Sequence, residues 1–436
     1  MRKDILHPWA KELTYEIRKI VEVAKKVESF WKEIIWENIW DPVVKWEKIP
    51  EWMKKVVKKA CEEDSSYWYC PTKWLEETRK FIAKNNSQLD PENIYFFNWL
   101  WDAISKIYKN LAVDSRVIWP NPAYSTHSSA EAAHAWSEHL TYNLDPNNEW
   151  NPDLEELENK IKFNPNIVWI LVVNPDNPTW AVFKKNVLKK IISIAKEYNL
   201  YVIFDEIYNK LVFNEKDKIL LSEIIWDVPW ISMQWVSKDL PWPWARCWWI
   251  EVYNKDKDES FSKYIDSILN SKMLEVCSTT LPQKVLPKLY SMSEFDIFRK
   301  KRIKKYKERA DLAEEILWEC DLLKVVKPKW AFYLSVTFDM NKFSWDEKMK
   351  IENKELKNYI ENEIKKSEIN WIWRFDKRFC YYLLAATWIC SVPLSWFNSH
   401  YEWFRITLLE ENVEKFKIIL NKIKTAVKDF YNWKNL

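Results

Sequence analysis

The residues best suited to chemistry lie in one stretch, Gln234 to Val252, which reads QWVSKDLPWPWARCWWIEV. It carries a lysine, Lys238, and an arginine, Arg246, eight residues later. The apolar runs around them, Trp230-Ile231-Ser232-Met233 and Trp248-Trp249-Ile250-Glu251-Val252, read as strands, which places the two cations on a Pro-broken loop. A lysine held between buried strands is desolvated, and desolvation lowers its pKa and makes the amine nucleophilic. An arginine fork donates two parallel hydrogen bonds to a phosphate. An amine that can carry an aldehyde, next to a phosphate holder, suggests pyridoxal phosphate. A surface lysine and arginine on a turn would explain this stretch, taken alone, equally well.

Other polar residues stand where strands end. Residues 93–97 read as a strand entering Asn98-Trp99-Leu100-Trp101-Asp102 and then a helix. With glycine at 99 and 101, that turn would present bare N–H groups and a helix N-terminus to an anion, although many such turns are only turns. A strand at 116–119 leads to Tyr124, available to stack on a flat ring or simply to pack in the core. The run IVWILVV at 167–173 is apolar throughout, as strands buried on both faces are. It ends in Asn174-Pro175-Asp176-Asn177-Pro178-Thr179-Trp180, where Asn177 is the natural hydrogen-bond donor. Strand 201–204 runs into Asp205-Glu206-Ile207-Tyr208, the edge at which open α/β sheets bind ligands. There Asp205 suits a ligand cation, or caps a following helix. Arg405 sits alone among apolar strand residues, and a buried arginine needs an anionic partner.

The elements that must position these groups alternate strand and helix. Residues 8–36 are mostly helical in pattern and end in Asn38-Ile39-Trp40-Asp41-Pro42, a tight ligand-facing loop if position 40 is glycine. Helices are expected at about 51–62, 73–84, 184–198, 293–318 and 354–366, with further strands at 329–337 and 387–393. The expected fold is α/β, a large domain with a mostly parallel sheet flanked by helices, plus a smaller α/β domain. The expected division is an N-terminal arm at 1–55, a large domain at 56–295 and a small one at 296–436.

Composition narrows the alternatives. The chain has 436 residues and a net charge of +3, so no strong field points to nucleic acid. Seven cysteines without CxxC spacing suit a reducing cytoplasm, and five histidines without zinc spacing give no metal site. No apolar run reaches membrane length, and the charged N-terminus is unlike a signal peptide.

One count stands out: Gly 0 beside Trp 31. A chain of this length ordinarily carries about 30 glycines. Tryptophan falls where glycine chemistry is needed, as in Asn-Pro-Thr-Trp180 and Lys-Pro-Lys-Trp330-Ala. We therefore expect most of these tryptophans to stand for glycine, as when a UGA codon read as glycine is translated as tryptophan. Trp150 and Trp249 lack a glycine-like context.

In order, NPDNPTW at 174–180, FDEIY at 204–208, SKDLPWPWAR at 237–246, PKWAFY at 328–333 and the Arg405 strand resemble the class I/II aminotransferases, fold-type I pyridoxal phosphate enzymes. The resemblance runs from NIWDP at 38–42 to the C-terminal helix. It implies pyridoxal 5′-phosphate on Lys238, with Asp205 at the ring nitrogen and His127 behind it. Asn177 and Tyr208 would hold the phenolic oxygen, with Tyr124 stacked on the ring. The phosphate would go to Trp99, Leu100, Trp101, Ser237 and Arg246. It implies a homodimer in which Tyr69 reaches the neighbouring subunit's phosphate. Substrate would bind at Trp40, Asn177 and Arg405. Trp235 stands where the family often has a serine phosphate ligand. The segment RFCYYLLAATWICSVPLSWF at 378–397 is similar to that of alanine aminotransferases, which implies L-alanine and 2-oxoglutarate giving pyruvate and L-glutamate. Aspartate or aromatic donors are the alternative, and a carbon–sulfur lyase is a further one.

Overall fold

The computed structural model describes residues 17–30, 33–39, 41–45, 47–368 and 374–433. The expectation for Trp40 falls outside them. Its core is an eight-stranded sheet in the order Ile94–Phe97, Trp248–Tyr253, Trp230–Trp235, Tyr201–Asp205, Ile167–Val173, Arg116–Asn121, Thr141–Asp145, Asn151–Pro152. The five strands from Trp230–Trp235 to Thr141–Asp145 pair in parallel, and Trp248–Tyr253 runs antiparallel beside them. Parallel order needs crossover helices over the faces, and covered faces require apolar residues on both sides of each strand. The Trp230–Trp235 and Tyr201–Asp205 strands accordingly bury nearly every residue. The crossover helix Lys185–Glu197 buries Leu188, Ile191, Ile192, Ile194 and Ala195 at helical spacing, which seals one face.

A smaller antiparallel sheet orders Leu323–Val325, Tyr333–Phe338, Trp403–Thr407 and Val392–Pro393. The helix Ser293–Trp318, 26 residues and so about 39 Å long, packs on both this sheet and the C-terminal helix Val413–Tyr431.

Three differences from the sequence reading have physical causes. Lys238 lies on a one-turn helix, Val236–Asp239, at the end of a strand and not on an open loop. The strand expected from 329 begins at Tyr333, because Ala331 adopts φ 53° and breaks the extended path. Helix Phe375–Thr387 carried no periodic signal, since nearly all its residues are buried and no polar stripe marks a solvent face.

Backbone conformation bears on the tryptophans. Among the described residues, thirteen have positive φ, and six of these are tryptophan: 74, 136, 150, 180, 345 and 388. The left-handed region costs a residue with a Cβ about 1–2 kcal/mol. Trp136 and Trp388 sit in it just past helix ends, the position glycine dominates. Trp150, read from sequence as lacking a glycine context, has φ 61° and is corrected on that ground. Trp249 differs: its indole N–H donates to Glu251 Oε1 at 2.9 Å within a strand, as a tryptophan suited to its place does.

Candidate active site

The parallel strands end on one edge of the large sheet, and that edge gathers the residues singled out above. One cleft region is lined by Trp99, Leu100, Tyr124, Asn177, Ile207, Tyr208, Trp235, Trp248, Tyr333 and Arg405. An adjoining region, sharing Trp99, is lined by Asp41, Pro42, Ser237, Lys238, Pro243, Trp244 and Arg246. The cleft therefore collects most of the expected site from positions far apart in sequence.

Lys238 is 2% exposed, and its Nζ lies 4.8 Å from the Trp235 ring centre, 5.4 Å from Phe332 and 5.7 Å from Tyr208. Burial pushes its ammonium well below the usual lysine range; Asp41 opposes this, and Arg405 and Arg302 add to it. A neutral amine at ordinary pH is a nucleophile and a base. Burial likewise pushes the Tyr208 hydroxyl well above its ordinary value, so it remains a hydrogen-bond donor.

Asp205 is buried beneath the cleft rather than on its lining. Its Oδ2 lies 3.2 Å from His127 Nε2, and its Oδ1 accepts the Ile207 N–H at 3.3 Å. No helix follows it directly, so its role is not that of a cap. Its neighbour Glu206 turns away, accepting from Ser232 Oγ at 2.6 Å and Gln234 Nε2 at 3.2 Å.

Arg405 comes from the smaller sheet, paired between Ser335 and Val392. It is 3% exposed, with its guanidinium 4.4 Å from the Tyr333 ring centre and 5.1 Å from Phe397. Its Nε, Asn177 Oδ1 and Ser237 Oγ are buried without hydrogen-bond partners among the described residues. Buried polar groups are normally satisfied, so three such atoms in one cleft mark a place for a polar ligand.

The remaining expectations divide. Trp99 caps the helix Leu100–Lys109, and its ring lies 3.3 Å from the Arg246 guanidinium. Trp101 is partly exposed and does not line the cleft, because the helix turns it outward. Tyr69 is 82% exposed and forms an outward aromatic patch with Tyr67 and Trp68. Sequence reasoning missed Asp41, Ile207, Tyr333 and Trp248 as cleft residues. Tyr333 and Asp41 lay inside quoted motifs, but an aromatic residue entering a strand and a carboxylate in a turn both have ordinary structural explanations, so neither was singled out.

Among the described residues, no His, Cys, Asp or Glu group is arranged for a metal ion, and no helix is long and apolar enough to cross a membrane. A buried amine, a carboxylate braced by histidine and an arginine from a second sheet meet at the strand ends of an α/β fold, an arrangement chemically able to support lysine-based group transfer. The aminotransferase class I and II profile matches residues 42–423. An uncharacterised aminotransferase of Methanocaldococcus jannaschii is 49% identical over 435 residues, covering 99% of both chains. The glutamate–pyruvate aminotransferase of Escherichia coli K12 is 26% identical over 342 residues, 76% of this chain and 82% of that protein. The alanine aminotransferase structure from Pyrococcus furiosus superposes with a TM-score of 0.83 at 24% identity, covering 97% of this chain and 99% of that one. The chain belongs to the aminotransferase class I and II family and is an enzyme of the transaminase type.

Proposed function

We propose that the chain moves the amino group of L-alanine to 2-oxoglutarate, giving pyruvate and L-glutamate, with pyridoxal 5′-phosphate as cofactor. The observation that carries this reading is the convergence of a buried Lys238 with Asn177, Tyr208 and Arg405 in one cleft. The residues fit the cofactor, since Asn177 offers a buried polar atom without a partner at the ring end and Ser237 another at the phosphate end. The phosphate end fits with glycine at 99, because the indole at that position stacks 3.3 Å from the Arg246 guanidinium and crowds the space beside its N–H fork, which glycine would open. We take position 99, and the positive-φ tryptophans, as glycine in the working protein.

In this reading Lys238 carries the cofactor aldehyde, Asp205 keeps the ring nitrogen protonated and His127 holds Asp205. Tyr208 and Asn177 hold the phenolic oxygen, and Tyr124 stacks on the ring. Arg246, Ser237 and the 99–101 turn hold the phosphate. When bound, the cofactor supplies an electron sink for the carbanion left when a substrate Cα loses its proton. Lys238, set free as the substrate amine takes its place on the aldehyde, would accept the Cα proton at Nζ and pass it to the cofactor's aldehyde carbon, and burial favours the uncharged amine this needs. Arg405 binds the substrate carboxylate with a bidentate fork, which turns the Cα–H toward the lysine. Tyr69 belongs to the partner's site in a symmetric dimer, which accounts for so exposed a tyrosine.

Alanine is favoured by the 378–397 segment, whose Phe397 lies against Arg405 and accepts the Ala123 N–H at 3.2 Å through its carbonyl. Amino-group exchange is tested by supplying L-alanine, L-aspartate or L-tyrosine with 2-oxoglutarate and measuring glutamate. Alanine should give the highest kcat/KM. A clear preference for aspartate or tyrosine overturns the substrate, and 2-oxo acid release without any acceptor indicates a lyase.

A further inference from the structure

Behind the cleft lies a buried polar network that the reaction above does not use. The one-turn helix Val236–Asp239 closes with the Leu240 N–H to Val236 carbonyl bond, at 3.0 Å. Its last carbonyls are orphaned as at any helix C-terminus, and here they are buried. Arg302, 2% exposed on the Ser293–Trp318 helix, supplies them: its Nη1 donates to the carbonyls of Lys238 at 2.8 Å and Asp239 at 3.0 Å. Its Nε donates to Glu47 Oε1 at 2.7 Å, and the Tyr306 hydroxyl donates to Glu47 Oε2 at 3.0 Å. The Asp239 side chain is fixed separately, accepting from Lys210 at 2.6 Å and the Tyr290 hydroxyl at 2.7 Å.

Glu47 leads back to the cleft. Its N–H donates to the Pro42 carbonyl at 2.9 Å, and the Lys45 N–H donates to the Asp41 carbonyl at 3.3 Å. Asp41 and Pro42 are walls of the region containing Lys238. Lys45 pairs with Glu37 at 2.9 Å, and Glu37 accepts from Thr407, two residues along the strand from Arg405. Two buried ion pairs, Lys45–Glu37 and Arg302–Glu47, joined through the backbone of the 41–47 segment and extended by the Thr407 hydrogen bond, thus connect the Arg405 strand, the Asp41 wall and the Lys238 turn.

We propose that Arg302 and Glu47 are positioning residues: Arg302 fixes the backbone that aims Lys238, and Glu47 locks that backbone to the Asp41–Pro42 wall. This rests on the reading of Lys238 as the reactive amine. The arginine is required for its geometry, because one planar guanidinium reaches two carbonyls and a carboxylate together, which a lysine ammonium cannot reproduce in the same directions. Glu47 is required for its charge, because an unpaired buried arginine is strongly unfavourable.

The test uses the full chain with glycine at 99 and the positive-φ tryptophan positions, loaded with pyridoxal 5′-phosphate, and three variants: Arg302→Lys, Glu47→Gln and Tyr306→Phe. The pH at which the bound cofactor's absorption band changes should move in Arg302→Lys and Glu47→Gln. Turnover should fall about 10-fold or more while KM changes by less than about 3-fold, the signature of a misaligned reacting group. In the cofactor-free protein, hydrogen exchange at the Lys45, Glu47 and Leu240 amides should rise in the same variants. Tyr306→Phe keeps the ion pair and serves as the mild variant, with a smaller shift in the same direction. An unchanged band titration and an unchanged kcat in folded Arg302→Lys and Glu47→Gln, or in Tyr306→Phe and Glu47→Gln if the lysine variant does not fold, overturn the proposal. Failure of the unsubstituted protein to develop the band overturns instead the reading of Lys238.

Discussion

At the residue scale, the site depends on what burial does to single groups. Lys238 is held among three aromatic rings, and burial keeps its amine below the usual lysine range. Lys238→Ala should lower turnover by about 10²–10⁴-fold, the range for losing a positioned acid–base group. Initial-rate assays check this, and turnover within 3-fold of the parent protein would remove Lys238 from the chemistry. The tryptophan question also belongs here, and Trp136 tests it without disturbing the core. It is 59% exposed and ends the helix Ser125–Ala135 at φ 53°; its indole N–H donates to the Ala133 carbonyl at 3.0 Å and its backbone N–H to the Ala132 carbonyl at 3.2 Å. In a chain made with the written residue, Trp136→Gly relieves about 1–2 kcal/mol of left-handed strain. It forfeits a surface hydrogen bond of about 0.5–1 kcal/mol. The net gain should appear as a higher denaturation midpoint, and a lower midpoint contradicts the assignment of glycine to this place. Buried positions such as Trp180 would not test the idea cleanly, because the relief there is set against a cavity costing about 3–5 kcal/mol.

At the scale of elements, the strands carry the signal and the junctions carry the function. The Ile167–Val173 strand was legible as an unbroken apolar run, and Ser293–Trp318 as a long charged helix free of proline, although that helix buries Arg302 and Arg309. The turn around Lys238 was not legible as helix, since four residues give no period and two prolines follow closely. Helix Phe375–Thr387 was hidden by its own burial. Of the site, Lys238, Asp205, Arg246 and Arg405 were legible because they stand within or beside apolar strand runs, whereas Asp41, a carboxylate in a turn, was not. Tyr333 and Ile207 were not, because an aromatic or aliphatic residue lines a cleft with the same chemistry that fills a core. The strand ends also bury acids whose protons matter. Burial pushes Glu206 up to about 8 from its ordinary 4.5, against the hydrogen bond from Ser232 and with the nearby Glu251 charge adding to the rise. The folded state therefore holds a proton that the unfolded state releases, so stability is full below about 4.5 and is lost as pH rises toward 8. Glu206→Gln removes that loss. Denaturant titrations across this window should show the variant gaining on the parent protein as pH rises, and a constant difference would contradict the raised carboxyl.

At the scale of the whole molecule, the site is assembled from two sheets and, in the proposed dimer, from two chains. Arg405 arrives from the smaller sheet and Lys238 from the larger, so in the proposed reaction substrate binding and proton transfer would depend on how the two sheets sit together. Tyr69, facing outward, supplies nothing to its own cleft. If it serves the partner's phosphate, a Tyr69→Ala chain and a Lys238→Ala chain, each weakly active alone, should regain activity when mixed and refolded. The mixed dimer then contains one site with both residues, and mixing without gain would separate Tyr69 from the partner's chemistry. The central claim, that this chain exchanges an amino group through Lys238, is tested most directly by a single half-reaction. The protein is made with glycine at 99 and at the positive-φ tryptophan positions, loaded with pyridoxal 5′-phosphate, and mixed with L-alanine without any oxo acid, while absorbance and pyruvate are followed together. We expect the bound cofactor's aldehyde absorption to be replaced and pyruvate to stop at one equivalent per site until 2-oxoglutarate restarts release. An absorption unchanged by every amino acid offered, or pyruvate accumulating without an acceptor, would contradict it.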